Sequence, residues 1–289
     1  MLLYAVDFWF VFGGFSMHAQ YSLLPYWQRE AQIFHQKISL VEHCLHHGAI
    51  HDARVAMKKL RSYARLSDKV MRTSLRAAVL PFATLYLTCG ACRDVYNAIG
   101  LLEVFAHRLE RRFPLFEAYL KTSLQASARY LRKVFTLLPI SESDWQLLSQ
   151  PKGLSERVSL QTLRAMQDET RALWESVEIP ASDRNAETLH DLRKALKQLF
   201  YWLEVLPASD SFAFHDLKAL RTLNSLFGKW QDLHQLERRV QLFRQELLGK
   251  GTPERRDLKL LLKSLAQEKR KLYGTMTDKL SVLLEAQAK

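Results

Sequence analysis

The sequence has few of the residues that interrupt helices, because only ten glycines and eight prolines occur among its 289 residues. It has only three cysteines, Cys44, Cys89 and Cys92, which cannot form a disulfide framework, so a reducing compartment is expected. No segment shows the regular apolar–polar alternation of a half-buried strand, and the punctuation of a parallel βα sheet is missing. These absences exclude a disulfide-rich secreted domain and argue against folds built on sheets.

Acidic residues are also in short supply, with 30 Asp and Glu against 42 Lys and Arg, a formal net charge of +12. Such a balance indicates a polyanionic partner or an anionic membrane surface, and charge alone leaves both open. Hydrophobic residues make up 48% of the chain, enough for a substantial core. Leu, Ala, Gln, Glu, Lys and Arg are abundant, which favours a mostly helical protein.

The usual signatures of catalysis are absent from the sequence. There is no Gly-rich phosphate loop and no Ser-His-Asp or Cys-His arrangement. Cys89 and Cys92 form a CxxC pair, but no second pair accompanies them, and small residues packed near a glycine explain them better than a redox or metal site. We therefore predict a protein that is not an enzyme and uses no cofactor or metal.

Residues 1–20 form an apolar N-terminal extension whose status the sequence leaves open. The most apolar part, residues 1–15, is shorter than the roughly 20 residues of a membrane-spanning helix and carries Asp7. No positive charge precedes it, as a secretory signal would require. Translation from Met17, a loosely held tail, a membrane-associating segment and a docked patch all remain open, and no transmembrane segment is predicted.

A stretch at residues 51–66 carries its cationic side chains at helical spacing. With an advance of about 100° per residue, five of them fall within an arc of roughly 80°. The opposite face is apolar, so the helix can bury one side and present the other to an anion. A solvated surface helix usually mixes charges of both signs, and this stripe contains no acid. The basic stripe consists of His51, Arg54, Lys58, Arg61 and Arg65.

The pattern His-Asp-x-Arg-x-x-x-Lys that opens this stripe returns 139 residues later. Two further pairs of landmarks lie at the same offset within one residue, which predicts an internal duplication with a basic helix in each half. The matched landmarks are His51 with His190, Arg93-Asp94 with Gln231-Asp232, and Pro114 with Pro253.

Helices that open with His-x-x-Arg-x-x-x-Lys, each followed some forty residues later by Gly-x-x-Arg-Asp or Gly-x-x-Gln-Asp, resemble the signature of the CHAD proteins, named for a histidine-containing α-helical domain. The first pair of segments lies at residues 51–61 and 90–94, and the second at residues 190–197 and 228–232. The resemblance covers about residues 21–289.

The resemblance implies an all-α fold of two similar four-helix-bundle halves related by a pseudo-twofold axis. It also implies that a central basic surface binds inorganic polyphosphate, and that the protein is cytoplasmic, with an association with polyphosphate granules as a further expectation. The candidate ligands that match the motif, with Arg65 added from the basic stripe, are His51, Arg54, Lys58, Lys59, Arg61, Arg65, His190, Arg193 and Lys197.

The sequence departs from the family pattern in ways that predict unequal halves. Tyr96 stands where an Asp is common, and alignment of the two basic helices places Phe200 at the position of Arg61 and Glu204 at that of Arg65. A Glu in the ligand-facing arc would repel a polyanion, so the first helix is expected to hold most of the polymer. In the alternative, both second-half residues turn toward the core or a partner helix.

The segment pattern predicts one domain at residues 21–289 after the extension. Its first half ends at about residue 138, a junction rich in turn residues spans about 139–154, and the second half covers about 155–289. The helices are predicted at about 25–47, 50–66, 68–90, 93–112, 114–138, 155–177, 190–207, 212–227, 229–248 and from 254 onward, with a polar linker at about 180–185.

Nucleic-acid binding is the first alternative function. The positive charge and the aromatic content are compatible with it. No recognised nucleic-acid motif is present, however, and Tyr201 and Trp202 fit core positions better than stacking platforms.

A metal-dependent phosphohydrolase is the second alternative, because His-Asp dipeptides begin at His51, His190 and His215. Such a site needs several His and Asp ligands around one metal ion. The neighbours of His51 at helical spacing are Arg and Lys, which would repel a cation, so this alternative is the weaker one.

Overall fold

Every regular element in the described part of the computed structural model is helical, which confirms the all-α prediction. The predicted extension at residues 1–20 and the linker residues 181–185 lie outside the described part. The structure describes residues 21–154, 158–180, 186–207, 217–249 and 251–287.

The helices follow the predicted order, and short turns of other helical types join or extend two of them. A 3-10 turn, Leu80–Phe82, precedes the fourth helix, and a π-helical turn, Phe243–Leu247, continues the ninth. The α-helices are α1 (Leu24–Cys44), α2 (His47–Met71), α3 (Leu75–Val79), α4 (Ala83–Leu109), α5 (Pro114–Leu137), α6 (Glu142–Ser149), α7 (Leu160–Glu175), α8 (Ala186–Leu203), α9 (Leu217–Leu242) and α10 (Glu254–Gln287).

Local signals set the turn between α1 and α2. Pro25 lies in the first turn of α1, where its missing N–H leaves no helical hydrogen bond unmade. After α1, Leu45 takes the left-handed conformation with φ 50°, and His46 Nδ1 accepts a hydrogen bond of 3.2 Å from the Ala49 amide at the start of α2. Because this cap precedes Gly48, α2 begins before the glycine that was predicted to separate the two helices.

Three predicted helix breaks are wrong, since α2 runs through the break predicted at residue 67, α4 runs through Gly90 and α9 runs through Gly228. The predicted helix at about 68–90 is instead interrupted at residues 72–74, where α2 has ended and α3 has not begun.

At the two glycines a local preference is overridden. A glycine inside a helix costs about 1 kcal/mol relative to alanine. Here the cost is offset by burial of the apolar side chains on either side, among them Leu85 and Val95 in α4 and Phe227 in α9. The glycine signal is therefore overridden by packing.

The predicted junction at 139–154 contains helix α6. Ser141 caps it through a hydrogen bond from the Asp144 amide, and Asp144 in turn accepts from the Ser141 amide. The Trp145 ring packs against the rings of Phe34 and Phe82 with centroid distances of 5.9 and 4.7 Å. The acidic and hydroxyl residues that suggested a turn form a capping box, and the tryptophan anchors the segment to α1.

Three apolar clusters make up the core. The first joins α1, α2, α3 and α6 with parts of α4, α5, α7 and α8 around Trp27, and the third joins α7, α8, α9 and the end of α10 around Trp230. The second, around Phe116, combines α4 and α5 with the later part of α9 and the start of α10. Helices from both predicted halves thus share the first and the second cluster, and the internal duplication stays a prediction.

One stretch of the described residues, Leu75–Leu109, is long and apolar enough to cross a membrane by length and composition. Half of its most apolar window is buried inside the protein, as expected for a core helix. By itself the stretch is weak evidence for a membrane span.

Candidate functional site

Four helices pack in a closed ring, in which α2 contacts α4, α4 contacts α9, α9 contacts α8, and α8 contacts α2. Each of these contacts contains a hydrogen bond from a side chain, which fixes how the helices face one another. The four hydrogen bonds join Arg54 Nη1 to the Tyr86 carbonyl (2.7 Å), Asn97 to the Asp232 carboxylate, Asn224 Nδ2 to the Leu196 carbonyl (3.2 Å) and Trp202 Nε1 to the Ser62 carbonyl (2.9 Å).

The ring surrounds a cleft of about 650 Å³, which we call the basic cleft. Nine Lys and Arg line it, against two carboxylates, Asp94 and Asp232. The tertiary structure thus concentrates in one concave surface the surplus of positive charge that the composition spreads over the whole chain. The predicted ligands that line the cleft are His51, Arg54, Lys58, Arg61, Arg65, His190, Arg193 and Lys197.

The two basic helices reach the cleft because each buries its opposite face. In α2 the buried side chains include Ala56, Met57 and Leu60, and in α8 they include Leu192 and Leu196. Once those faces pack against the core, the cationic side chains at helical spacing point into the cleft. The two His-x-x-Arg-x-x-x-Lys segments therefore lie on adjacent walls of the cleft.

The other two walls contribute residues that the sequence interpretation left out of the site. Helix α4 contributes Arg93 and Asn97, and α9 contributes Lys229, Gln231 and Asp232. The signal for some of them was available, because Arg93-Asp94 and Gln231-Asp232 were used as landmarks of the duplication. These residues line the cleft because α4 packs against α9, and that packing cannot be read from the sequence.

Tyr86 of α4 holds two of the predicted ligands at one side of the cleft. The Arg54 guanidinium lies 4.6 Å from the Tyr86 ring centroid, and the Arg61 guanidinium lies 5.0 Å from it. A cation over an aromatic face is attracted by the ring quadrupole. Arg61 itself is exposed to solvent, so it extends the cleft toward its mouth together with Arg65.

Burial, together with the neighbouring cations, changes the ionisation of the two central lysines. Burial is the main cause and Lys197, Arg54, Arg193 and Arg93 add to it, so that the pKa of Lys58 is lowered to about 7 in all. Burial likewise lowers the pKa of Lys197 to about 8, with Arg193 and Arg93 adding to the effect and Asp232 opposing it. The ligand-free cleft therefore holds more positive charge than its own carboxylates can neutralise.

The same environment acts on His51. Burial and the nearby Arg93 lower the pKa of His51, while Asp52 partly opposes them. An imidazole with a lowered pKa is mostly neutral near pH 7, so His51 can donate or accept a hydrogen bond without adding charge. His190 Nδ1 lies 3.4 Å from Gln231 Oε1, which links α8 to α9 at the corresponding place.

The structure does not bring Lys59 into the basic cleft. Its ammonium lies 3.2 Å from Glu30 Oε1 and 3.3 Å from Glu204 Oε2, on another side of α2. Phe200 is partly buried between the first and third core clusters, with the Arg221 guanidinium 5.5 Å from its ring centroid. The expectation that Phe200 and Glu204 face the ligand is wrong, because neither lines the cleft and both pack toward partner helices.

The other motifs do not converge on a metal site in the described part of the chain. No group of three or more His, Cys, Asp or Glu there could hold a metal ion, and His215 with its neighbouring Asp lies outside it. Cys89 and Cys92 are buried, and burial raises the pKa of their thiols to about 12 and 11. Both thiols therefore stay protonated at neutral pH, as expected for packed core residues.

Comparison with known proteins agrees with this architecture. A family model described as CHAD domain matches residues 33–241. The CHAD domain from the plant Ricinus communis is similar in structure, with a TM-score of 0.65 and 19% sequence identity over 94% of this chain and 96% of that chain. PptA from Streptomyces chartreusis gives a TM-score of 0.64 and 12% identity over 91% of this chain and 98% of that chain. At these identities both structures show the fold alone, and no curated protein matches the chain.

Proposed function

Because the chain belongs to the CHAD domain family, we propose that it binds inorganic polyphosphate in the basic cleft and does not act on it chemically. The observation that carries the proposal is that two His-x-x-Arg-x-x-x-Lys segments, on adjacent helices, line one cleft with a large surplus of cations. Family membership makes polyphosphate-related binding the general expectation, and the positive charge of this cleft supports the proposal that binding occurs there.

The chemistry of the lining suits phosphate oxygens. Guanidinium groups such as those of Arg54 and Arg193 present forked donors that match phosphate geometry, and ammonium groups such as that of Lys58 act as compact charges beside them. The pKa values of Lys58 and Lys197 are lowered first by burial and second by the neighbouring cations, and the second cause is repulsion among the cations of the free cleft. A polyanion would relieve it, and this relief would add to the favourable free energy of binding.

The length of the cationic surface favours a polymer over a single small anion. From His51 to Arg65 the stripe on α2 covers roughly 20 Å, at about 1.5 Å per residue. Arg61 and Arg65 are exposed at the mouth and continue the row beyond the buried part of the cleft. A repeating phosphate chain could contact all of them at once, whereas an isolated phosphate could contact only a few.

A cytoplasmic location of the protein is part of the same proposal. The described cysteines are free, and Cys44 is exposed, which is compatible with the cytoplasm. Association with polyphosphate granules would follow from binding of the polymer itself.

Competition between two polyanions tests the proposal. A fluorescent long-chain polyphosphate is bound to the protein and displaced with unlabelled polyphosphate or with duplex DNA at the same phosphate concentration. We expect polyphosphate to displace the probe at a concentration at least about tenfold lower than DNA, because its flexible chain can follow the cleft. Equal displacement by DNA would favour the nucleic-acid alternative instead.

A matched pair of variants separates the cleft from the general positive charge. Arg193→Ala with Lys197→Ala removes two cations from the cleft, and Arg132→Ala with Lys133→Ala removes two exposed cations of α5 that do not line it. The first variant should weaken binding at least about tenfold, and the second should change it less than about twofold. Equal losses would mean that net charge, and not the cleft, binds the polymer.

A further inference from the structure

Gly90 lies inside α4, and the Arg54 guanidinium occupies the space that a side chain there would fill. A Cβ atom on Gly90 would be 2.2 Å from Arg54 Nη1 and 2.9 Å from Arg54 Cζ. Both distances are far below van der Waals contact, so any other residue at this position must displace the guanidinium. The arrangement explains why a helix that would gain stability from alanine carries a glycine.

The missing side chain of Gly90 leaves a groove on the surface of α4, and a backbone carbonyl in that groove attracts the guanidinium. In an α-helix the carbonyl of one residue lies beside the residue four positions later, so Gly90 leaves the Tyr86 carbonyl uncovered. Arg54 Nη1 donates a 2.7 Å hydrogen bond to that carbonyl, and the guanidinium also lies over the Tyr86 ring. Carbonyl, ring and groove together fix the position of the group before any ligand arrives.

The Arg54 side chain keeps hydrogen-bonding capacity for a ligand in this position. Arg54 lines the basic cleft, and among the described residues its guanidinium donates a hydrogen bond through Nη1, while its buried Nε has no partner. A buried donor without a partner is costly, and an arriving phosphate oxygen would be a strong acceptor for the guanidinium.

The second half lacks the same arrangement at the corresponding residues. A Cβ atom on Gly228, which lies 138 residues after Gly90, would meet nothing within 4 Å. At the position of Tyr86 stands Asn224, whose amide donates to the Leu196 carbonyl of α8. A groove filled by an arginine is therefore found at Gly90 and not at Gly228, although both glycines open a Gly-x-x-Arg/Gln-Asp segment.

We propose that Gly90 is a positioning residue for the polyphosphate site, which holds Arg54 as a preset phosphate anchor through the groove that its missing side chain leaves. The inference rests on the proposed function. A preset anchor contributes to affinity because its side chain has already lost its conformational freedom when the ligand binds.

Gly90→Ala tests this inference, with Gly100→Ala as its control. Gly100 lies in the same helix, is exposed, and a Cβ atom there meets nothing within 4 Å. Because the clash at Gly90 involves the far end of a flexible side chain, α4 should stay folded while the Arg54 guanidinium is pushed aside. We expect Gly90→Ala to bind long-chain polyphosphate about tenfold more weakly and Gly100→Ala to bind as wild type.

A double-mutant cycle distinguishes positioning from a general structural effect. In the Arg54→Ala background, Gly90→Ala should cost no further affinity, since the group that it displaces is gone. Its thermal midpoint in that background should be equal or higher, because alanine favours helix and the clashing atoms are absent.

Three results would overturn the inference: wild-type affinity in Gly90→Ala, an equal loss of affinity in both backgrounds, or a lowered midpoint that Arg54→Ala does not restore. If Gly90→Ala is too unstable for binding measurements, the recovery of the midpoint in the double variant decides the matter. A wild-type protein that binds no polyphosphate would contradict the proposed function instead, so the two failures are distinguishable.

Discussion

Lys59 of α2 and Glu204, which follows α8, form an ion pair of 3.3 Å beneath the wall of the basic cleft. Only 17% of the Lys59 side chain and 23% of the Glu204 side chain are exposed. The same lysine contacts Glu30 of α1, whose side chain is 5% exposed. Lys59 thus joins α1, α2 and the end of α8, whereas its neighbour Lys58 lines the basic cleft.

The first prediction is that Lys59→Ala lowers stability and leaves polyphosphate affinity nearly unchanged. Removal of the lysine leaves the shielded carboxylates of Glu30 and Glu204 with fewer partners, which should cost about 2 kcal/mol. Urea unfolding and polyphosphate titration of the same sample measure both quantities.

Lys69→Ala is the control for this prediction. Lys69 forms an ion pair with Glu169 but is 65% exposed, so its loss should cost less than about 1 kcal/mol. Glu204→Gln should also reduce stability without tightening binding. A large loss of affinity in Lys59→Ala with unchanged stability would return Lys59 to the set of ligands.

The second prediction is that polyphosphate binding takes up protons and weakens as the pH rises. The pKa of Lys58 is about 7 and that of Lys197 about 8, so both amines lose their protons in the free protein between about pH 6 and 9. A bound polyanion favours the charged amines, so log affinity should fall with a slope that steepens from near 0 at about pH 6 to about −1 near pH 7.5 and approaches about −2 by about pH 9. Titrations at several pH values measure the slope.

Lys58→Arg with Lys197→Arg is the matched variant, because arginine stays charged throughout this range. Its affinity should be nearly independent of pH, and a slope as steep as that of wild type would show that other groups titrate. The free energy of unfolding of the ligand-free protein changes with pH in the opposite direction to the binding affinity. Since the unfolded chain binds more protons where a lysine pKa is lowered, these two lysines make the ligand-free protein more stable as the pH rises from about 7 toward 10.

The third prediction compares the deep part of the cleft with its mouth. Arg193 and Lys197 are half-buried, whereas Arg61 and Arg65 are exposed. Charges shielded from water interact more strongly with an anion, so Arg193→Ala with Lys197→Ala should cost more affinity than Arg61→Ala with Arg65→Ala, by about fivefold or more. Titration of both double variants with one chain length makes the comparison.

This expectation reverses the one drawn from sequence, in which the second basic helix was the weaker site. That interpretation assumed that Glu204 faces the ligand, whereas the structure pairs it with Lys59. A larger loss from the exposed pair would support the earlier view, in which the first helix holds most of the polymer.

The fourth prediction concerns salt. Each phosphate that Lys or Arg neutralises releases condensed counterions, so log affinity should fall linearly with log salt. With roughly six cations engaged and about 0.7 ions released per contact on a single-stranded polyanion, the slope should be near −4. Arg54→Ala with Lys58→Ala should reduce the steepness by about 1.4, and a slope near zero would exclude the cleft cations as the binding groups.

The all-α fold class could be predicted from the sequence, and so could the cations that share one face of each basic helix. The pattern of cations at spacings of three and four on α2 already placed Arg54, Lys58, Arg61 and Arg65 on one face, since a helix advances by a fixed angle per residue. The repeat of that pattern at His190 indicated the second wall. Both depend only on local geometry, which the order of residues determines.

The helix boundaries were less predictable at glycines and at polar clusters. Gly90 and Gly228 suggested breaks but lie inside α4 and α9, and the polar residues after Ile140 suggested a turn but cap α6. In each case a contact with a distant segment, such as Trp145 with Phe34, outweighs a local preference of about 1 kcal/mol.

What only the tertiary structure decided is which residues share the cleft. The sequence shows that Lys58 and Lys59 are adjacent. Only the packing of the helices decides that Lys58 lines the cleft and that Lys59 forms ion pairs with Glu30 and Glu204. Packing also brought Arg93 of α4 to the same surface. The physical reason is that periodicity fixes the faces of a single helix, whereas the partner that each face meets depends on burying apolar surface from segments far apart in the chain.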